Sequence, residues 1–157
     1  MPRMFSNSTF FKKLNDLEQS STMTKYKCEK RRHTRIIFNE RNKVQALLSL
    51  TDDKQHSEKL IPASVLNMSE GGMQISIVRK DFEKAQQGDM VTLRQIIGMH
   101  ELALLTELPM QIIWIMDNEY LEHVLLGMCF GTISPQQHQA LRAFVENRLA
   151  QSLEKNK

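Results

Sequence analysis

The sequence predicts a mainly β protein, a small antiparallel barrel of six or seven strands with a C-terminal α-helix. Three observations lead to this fold class: short apolar segments with alternating polar side chains, turn signals between them, and one stretch of helical periodicity at the end. With 157 residues, of which 41% are hydrophobic and 25% charged, the chain suits a single globular domain with a real core. A closed barrel is expected because it leaves no strand edge unpaired.

Seven segments between residues 36 and 133 have the pattern of strands. They are residues 36–38, 44–50, 60–67, 73–78, 90–97, 110–116 and 123–133. Apolar and polar side chains alternate most clearly in the fourth and fifth segments, as expected for strands with one buried face. The separating stretches are polar or contain Gly, at residues 51–59, 67–72, 81–89 and 117–120. The shortest of these stretches predicts a hairpin between the last two strands.

The C-terminal segment predicts a helix over about residues 134–154. Ser134 is a suitable N-cap, and Pro135 stands at the first helical position, where its missing N–H costs nothing. Apolar side chains then recur at helical spacing, at Leu141, Phe144, Val145 and Leu149. We expect this amphipathic helix to cap the barrel, so that residues 29–157 form one domain.

The first 28 residues are expected to form a leader outside that domain. Phe10, Phe11, Leu14 and Leu17 have the spacing of a short amphipathic helix, and disorder is the alternative. The leader lacks the apolar stretch of a secretory signal, and no apolar run reaches the roughly 18 residues of a membrane span. The chain has two cysteines without metal-ligand spacing, so we expect a cytoplasmic protein.

Metal binding and catalysis are not expected. The five histidines are scattered without ligand spacing, and no serine or cysteine lies in a recognisable nucleophile arrangement. Trp114 and the methionines are interpreted as core filling. The sequence therefore predicts a protein that is not an enzyme and has no cofactor.

Positive charge is concentrated in one segment. Residues 25–43 contain eight Lys and Arg against two Glu, whereas the rest of the chain contains 13 basic and 16 acidic residues. A nucleic-acid-binding barrel would present a continuous basic face with exposed aromatic side chains. The observed distribution favours a local anion site instead.

Two motifs, separated by 31 residues, flank the first strands. The basic segment contains Arg31-x-x-x-Arg35, and Asn67-x-Ser69-x-x-Gly72 follows. Each pattern alone is common, but the pair in this order resembles the PilZ domain, the bacterial receptor module for cyclic di-GMP. The resemblance extends over about residues 29–150, including Gly127 and Phe130 in the last strand and the Ser-Pro start of the helix. It implies a single-domain member of the family.

The resemblance implies a set of ligand-binding residues. They are Arg31, Arg32, Arg35, Asn67, Ser69, Gly71 and Gly72. Arginine suits this ligand because its planar fork binds phosphate or guanine bidentately and stacks on bases. The short polar side chains would address a guanine edge or a phosphate, and the glycines would allow a close approach. Asn67 departs from the Asp found in many family members; its amide oxygen can still accept a hydrogen bond, so we expect binding to survive and to be weaker.

The predicted function is therefore a receptor that passes the level of cyclic di-GMP to an unidentified downstream protein, by ordering the basic segment on the barrel. We expect a monomer or weak dimer that binds no nucleic acid. Motility or biofilm regulation is the expected output class. Two alternatives remain open at this point: a PilZ-like adaptor that acts by protein contact without nucleotide, and a small nucleic-acid-binding barrel.

Overall fold

Antiparallel strands and one long helix make up the part of the chain that the computed structural model describes, residues 33–50, 59–82 and 85–156. The strands are β1 (Ile36–Ile37), β2 (Gln45–Leu50), β3 (Leu60–Met68), β4 (Gly72–Val78), β5 (Met90–Ile97), β6 (Leu108–Met116) and β7 (His123–Phe130), and the helix is α1 (Pro135–Glu154). All seven predicted strands are present, although the last one ends at Phe130 rather than residue 133. The leader, Arg31, Arg32 and residues 51–58 lie outside the described residues.

The sheet closes into a barrel of six strands with one additional strand. The order is β3-β2-β5-β6-β7-β4, and β4 pairs with β3 to complete the circle. Antiparallel pairing throughout, with the C-terminal helix, confirms the predicted fold class. Residues 60–64 of β3 pair with β2, and residues 64–68 pair with β4. The additional strand β1 pairs with the end of β3, on the edge that β2 leaves free.

The barrel interior is filled by aliphatic and methionine side chains. The largest fully buried ones on the strands are Leu48, Met68, Ile75, Leu93, Leu108, Met110, Ile112 and Leu126. The helix α1 adds Leu141, Phe144 and Val145 to the same cluster. Removing this much apolar surface from water is the main force that holds such a barrel closed.

The start of α1 is fixed by a capping box, as the sequence predicts. Ser134 Oγ accepts a hydrogen bond from the Gln137 backbone N–H at 3.2 Å, and Gln137 Oε1 accepts one from the Ser134 N–H at 3.1 Å. Gln137 also donates to the backbone oxygens of Leu104 and Thr106. These bonds satisfy N–H groups that a helix start leaves unpaired and tie the helix to the loop before β6.

Three β-bulges interrupt the alternation of the strands. In β3 the register against β4 shifts around Leu66, in β6 the register against β7 shifts around Ile113, and a third shift separates β2 and β5. An extra residue at a bulge reverses the side chains that follow it. As a result, Asn67 and Trp114 lie on the outer face of the barrel, although strict alternation would direct both inward.

Candidate ligand-binding site

The short strand β1 brings the basic segment next to the second motif. Ile37 pairs with Asn67, and Ile36 pairs with Met68. The same antiparallel register, continued by one residue, places Arg35 opposite Ser69. The position of His33 is consistent with this register, which would place it opposite Gly71: a Cβ built on Gly71 would lie only 3.1 Å from His33 Cδ2. The described end of the basic segment therefore runs along the Asn67-x-Ser69-x-x-Gly72 corner.

Arg35 is exposed at this corner. In the described part of the chain, no hydrogen bond or ion pair engages its guanidinium group. Four other arginines of the barrel and α1, in contrast, each pair with a carboxylate: Arg79, Arg94, Arg142 and Arg148. The five donors of Arg35 are thus available to an anion or a base edge.

Ser69 organises the turn between β3 and β4. Its backbone N–H donates to the Gly72 carbonyl at 2.9 Å, and its Oγ accepts from the Gly71 N–H at 3.3 Å. Its hydroxyl group also donates to the Gly72 carbonyl oxygen, but at 3.4 Å this hydrogen bond is long and weak. Backbone groups therefore position this half-buried hydroxyl, and it can give up its weak bond to Gly72 and donate to a ligand instead.

The two glycines of the motif provide space rather than a left-handed backbone, since neither has a positive φ angle. A Cβ on Gly72 would lie 2.0 Å from the Met128 carbonyl oxygen on β7. Gly72 therefore allows the close pairing of β4 with β7. Gly71 leaves room for the ring of His33. The ligand-binding roles implied for both glycines remain proposals.

Asn67 belongs to a row of outward side chains. Across the sheet the Cα partners run from Ile37 to Asn67, then to Gln74, Gly127 and Trp114. Asn67 Nδ2 donates to Gln74 Oε1 at 2.7 Å, which joins the two side-chain amides across the strands. The row combines amide groups with an aromatic ring, a combination that can bind a nucleobase.

Trp114 is the aromatic member of that row. A Cβ on Gly127 would lie 2.0 Å from Trp114 Nε1, so the indole lies across the backbone of β7. The residue is 37% exposed, and the interpretation of Trp114 as core filling is wrong. The bulge around Ile113 is the physical reason, because it turns the indole outward.

The residue after β1 and the second motif both contact the C-terminal helix. Directly after β1, the ring of Phe38 stacks on that of Phe144, with centroids 6.2 Å apart and an interplanar angle of 25°. On the other side of the corner, Glu70 Oε2 lies 3.7 Å from His138 Nε2. An apolar contact and a polar one therefore join this part of the barrel to α1.

Other hollows are less suited to a ligand. Among the described residues that line the open hollow at Arg79, Phe82, Gln86 and Asp117, Arg79 is the one cation, and it is already engaged by Asp117 and by the Leu121 carbonyl at 2.9 Å. Across the described ranges, no group of three His, Cys, Asp or Glu side chains could hold a metal ion. Nor does any helix in those ranges have the length and apolar character needed to cross a membrane.

Comparison with known families decides what this arrangement is. The family model described as the PilZ domain matches residues 29–147, which include both motifs and most of α1. The chain belongs to the PilZ domain family. The predicted resemblance is thereby confirmed. No curated protein matches the chain.

Solved structures of other PilZ proteins share the fold at low sequence identity. The PilZ domain of Escherichia coli YcgR with c-di-GMP aligns with a TM-score of 0.55 and 17% identity, over 82% of this chain and 98% of that domain. The c-di-GMP complex of MrkH from K. pneumoniae aligns with a TM-score of 0.61 and 9% identity, over 81% of this chain and 55% of that one. The Bacillus subtilis inhibitor of motility, MotI, aligns with a TM-score of 0.55 and 17% identity, over 78% and 52%. The chain thus spans about half the length of the last two proteins.

Of the predicted site residues, the structure brings five together at the corner: Arg35, Asn67, Ser69, Gly71 and Gly72. Arg31 and Arg32 lie outside the described residues. Sequence reasoning missed three neighbours, His33, Gln74 and Trp114. Gln74 could have been found from the alternation in β4, which places it on the polar face. Trp114 could not, because the bulge in β6 leaves no clear signal in a strand that has a single polar residue, Gln111.

Proposed function

We propose that this PilZ protein is a receptor for cyclic di-GMP that performs no chemistry on its ligand. The observation that carries the proposal is the pairing of β1 with the end of β3, which brings Arg35, in the described part of the basic segment, to the same surface as the Asn67-x-Ser69-x-x-Gly72 motif. The names of the YcgR and MrkH structures include the same ligand. We place the receptor in the cytoplasm, with residues 29–157 as its binding domain.

Each group at the corner suits a part of this ligand. The guanidinium groups of Arg35 and Arg31 would bind phosphate oxygens or guanine O6 and N7 through paired hydrogen bonds, with Arg32 as an additional cation. Asn67 and Ser69 would bind a guanine edge or a phosphate. The exposed face of Trp114, next to Gln74, offers a stacking surface for a second base.

Isothermal titration calorimetry tests the proposal. Full-length protein should bind cyclic di-GMP saturably, at micromolar concentration or below, and should not bind GTP or cyclic GMP at the same concentrations. The single nucleotides serve as controls because they contain guanine and phosphate without the compact cyclic shape. Absence of heat with cyclic di-GMP, at protein concentrations where the fold is intact by circular dichroism, would refute the receptor function.

We propose further that the ligand acts on a downstream protein through α1. Ligand binding would pull the basic segment against the corner, and β1 would pass this ordering to Phe38 and hence to Phe144. The contact between Glu70 and His138 links the second motif to the same helix. Such coupling requires an element whose contacts differ between the empty and the bound state. Motility or biofilm regulation is the output class that we propose, in keeping with the name of MotI.

Hydrogen exchange tests this transmission. Saturation with cyclic di-GMP should slow amide exchange in α1 around Phe144, and Phe38→Ala should weaken that protection while binding persists. The amides of the β6–β7 hairpin near Asn118 serve as an internal control, since they lie far from the corner. Unchanged exchange throughout α1 in saturated wild-type protein would contradict transmission through the helix.

A further inference from the structure

The turn between β6 and β7 is held in place by one arginine. Arg79, which directly follows β4, donates through Nε to the Leu121 carbonyl at 2.9 Å. Its two terminal nitrogens donate to a carboxylate oxygen of Asp117 and to the Asn118 carbonyl. Its backbone N–H donates to the Glu122 carbonyl at 2.8 Å. Four hydrogen bonds from one residue therefore fix this turn relative to the barrel.

Hydrogen bonds within the turn support the same backbone shape. The Tyr120 N–H donates to Asn118 Oδ1 at 3.0 Å, and the Leu121 N–H donates to the Asn118 carbonyl at 2.9 Å. The side chains of Tyr120 and Leu121 are nevertheless 87% and 48% exposed. An aromatic side chain on a preorganised turn loses little further freedom when it binds a partner. The turn therefore presents Tyr120 in a form suited to recognition.

Apolar side chains at the adjoining strand ends extend this surface. Met116 at the end of β6 is 53% exposed, and Val78 at the end of β4 is 38% exposed. Met116 pairs with Leu125 and Val78 pairs with His123, two positions that share one face of β7. A cluster of exposed apolar groups, unlike a single one, indicates an interaction surface. We call this cluster the hairpin patch, and it consists of Val78, Met116, Tyr120 and Leu121.

Acidic groups border the hairpin patch. Residues 116–123 contain Asp117, Glu119 and Glu122 and no Lys or Arg. Asp117 pairs with Arg79, whereas in the described part of the chain no ion pair engages the two exposed glutamates. Carboxylates repel nucleic acids and anionic membrane surfaces, so neither suits this surface. The charge instead complements a protein with basic side chains around an apolar pocket.

We propose that the hairpin patch docks a partner protein whose apolar pocket receives Tyr120 and whose Lys and Arg side chains face Glu119 and Glu122. Such an interface has an aromatic anchor at its centre and charges at its rim, which guide the approach of the partner. The turn adjoins the opposite end of β4 from Gly72. The docking surface is therefore separate from the corner, and the inference does not rest on ligand binding.

Photocrosslinking in the native host cell, followed by binding measurements, tests this docking surface. The full-length chain would carry p-benzoylphenylalanine in place of Tyr120 or, as a control, in place of Gln45. Gln45 is exposed on β2, which lies opposite β7 in the closed strand order. We expect one protein to be crosslinked at position 120 and not at position 45. That protein is then purified and titrated with the full-length chain.

The affinities for the purified partner distinguish docking from chance proximity. Tyr120→Ala should weaken binding by at least about tenfold, as expected for an aromatic residue at the centre of an interface. Glu119→Lys/Glu122→Lys should weaken it by at least about tenfold as well, because repulsion from basic side chains replaces attraction. Glu40→Lys changes the charge of an exposed residue between β1 and β2 and should alter the affinity less than about twofold. Thermal unfolding should be unchanged, because each substituted side chain is exposed.

Three results would each overturn the proposal. The first is the absence of any product at position 120 beyond that at position 45. The second is a product that contains a nucleic acid or only a second copy of this chain, since the turn would then serve another purpose. The third is unchanged partner affinity in Tyr120→Ala or in Glu119→Lys/Glu122→Lys. Binding of cyclic di-GMP is measured separately, so that a failure of docking and a failure of the receptor function are distinguished.

Discussion

The double substitution Arg31→Ala/Arg35→Ala is expected to remove measurable binding of cyclic di-GMP while the barrel remains folded. A charge-assisted hydrogen bond contributes about 1.5–3 kcal/mol, so losing two such arginines lowers affinity by about a hundredfold or more. The fold should be unaffected because Arg35 is exposed and no described group depends on it for a partner. Titration calorimetry measures the affinity, and thermal unfolding verifies the fold.

A matched variant controls for the loss of positive charge. Arg142 is an exposed arginine on α1, paired with Glu146 one helical turn away at 3.0 Å. Arg142→Ala should change the affinity less than about twofold, because a surface pair of this kind contributes little beyond general attraction. The affinity of the Arg35→Lys variant should lie between those of wild type and the double variant, since lysine keeps the charge and loses the planar fork. Unchanged affinity in the double variant would exclude the basic segment from the site.

Gly72→Ala is expected to destabilise the protein by about 3 kcal/mol, a large share of the roughly 5–15 kcal/mol typical of a domain. The added methyl group would lie 2.0 Å from the Met128 carbonyl oxygen, which belongs to the backbone of the paired strand and not to a flexible side chain. Strands β4 and β7 would therefore have to move apart at this position. Urea denaturation, monitored by circular dichroism, gives the change in the free energy of unfolding.

The neighbouring glycine provides the control for this prediction. A methyl group on Gly71 would lie 3.1 Å from His33 Cδ2, and the exposed His33 side chain can move by a few tenths of an ångström. Gly71→Ala should therefore cost less than about 1 kcal/mol. Equal destabilisation by the two substitutions would contradict the different roles that the structure gives them. A stable Gly72→Ala variant would mean that β4 and β7 are less closely paired than described.

Most of the fold could be predicted from the sequence, because alternation, turn signals and the helix cap are local properties. Residues 73–78 and 90–97 alternate clearly, and the observed strands β4 and β5 match them within one residue. Ser134 is the N-cap both by residue type and by its bonds. The closing of the barrel followed from the need to pair every strand edge, and the structure confirms it.

The details of the site could not be predicted, because they depend on bulges. Alternation in β3 places Ile61, Ala63 and Val65 inside and would direct Asn67 inward as well. The extra residue at Leu66 reverses this direction, so that Met68 enters the core and Asn67 meets Gln74 outside. A bulge has no reliable signature in a single sequence, since it is set by the pairing of strands that are distant along the chain. The family motif identified Asn67, but only the register shows which neighbour it bonds to.

The position of the site can be measured most directly by nuclear magnetic resonance, with ¹⁵N-labelled full-length protein titrated with cyclic di-GMP. We expect the largest shift changes at Arg35, Asn67, Ser69 and Gln74. We also expect a change in the indole Nε1–H of Trp114, a single resonance because the chain has one tryptophan. Shifts confined to another face, such as the hollow at Arg79 and Asp117, or no shifts at saturating ligand, would contradict the claim that the two motifs form one site for this dinucleotide.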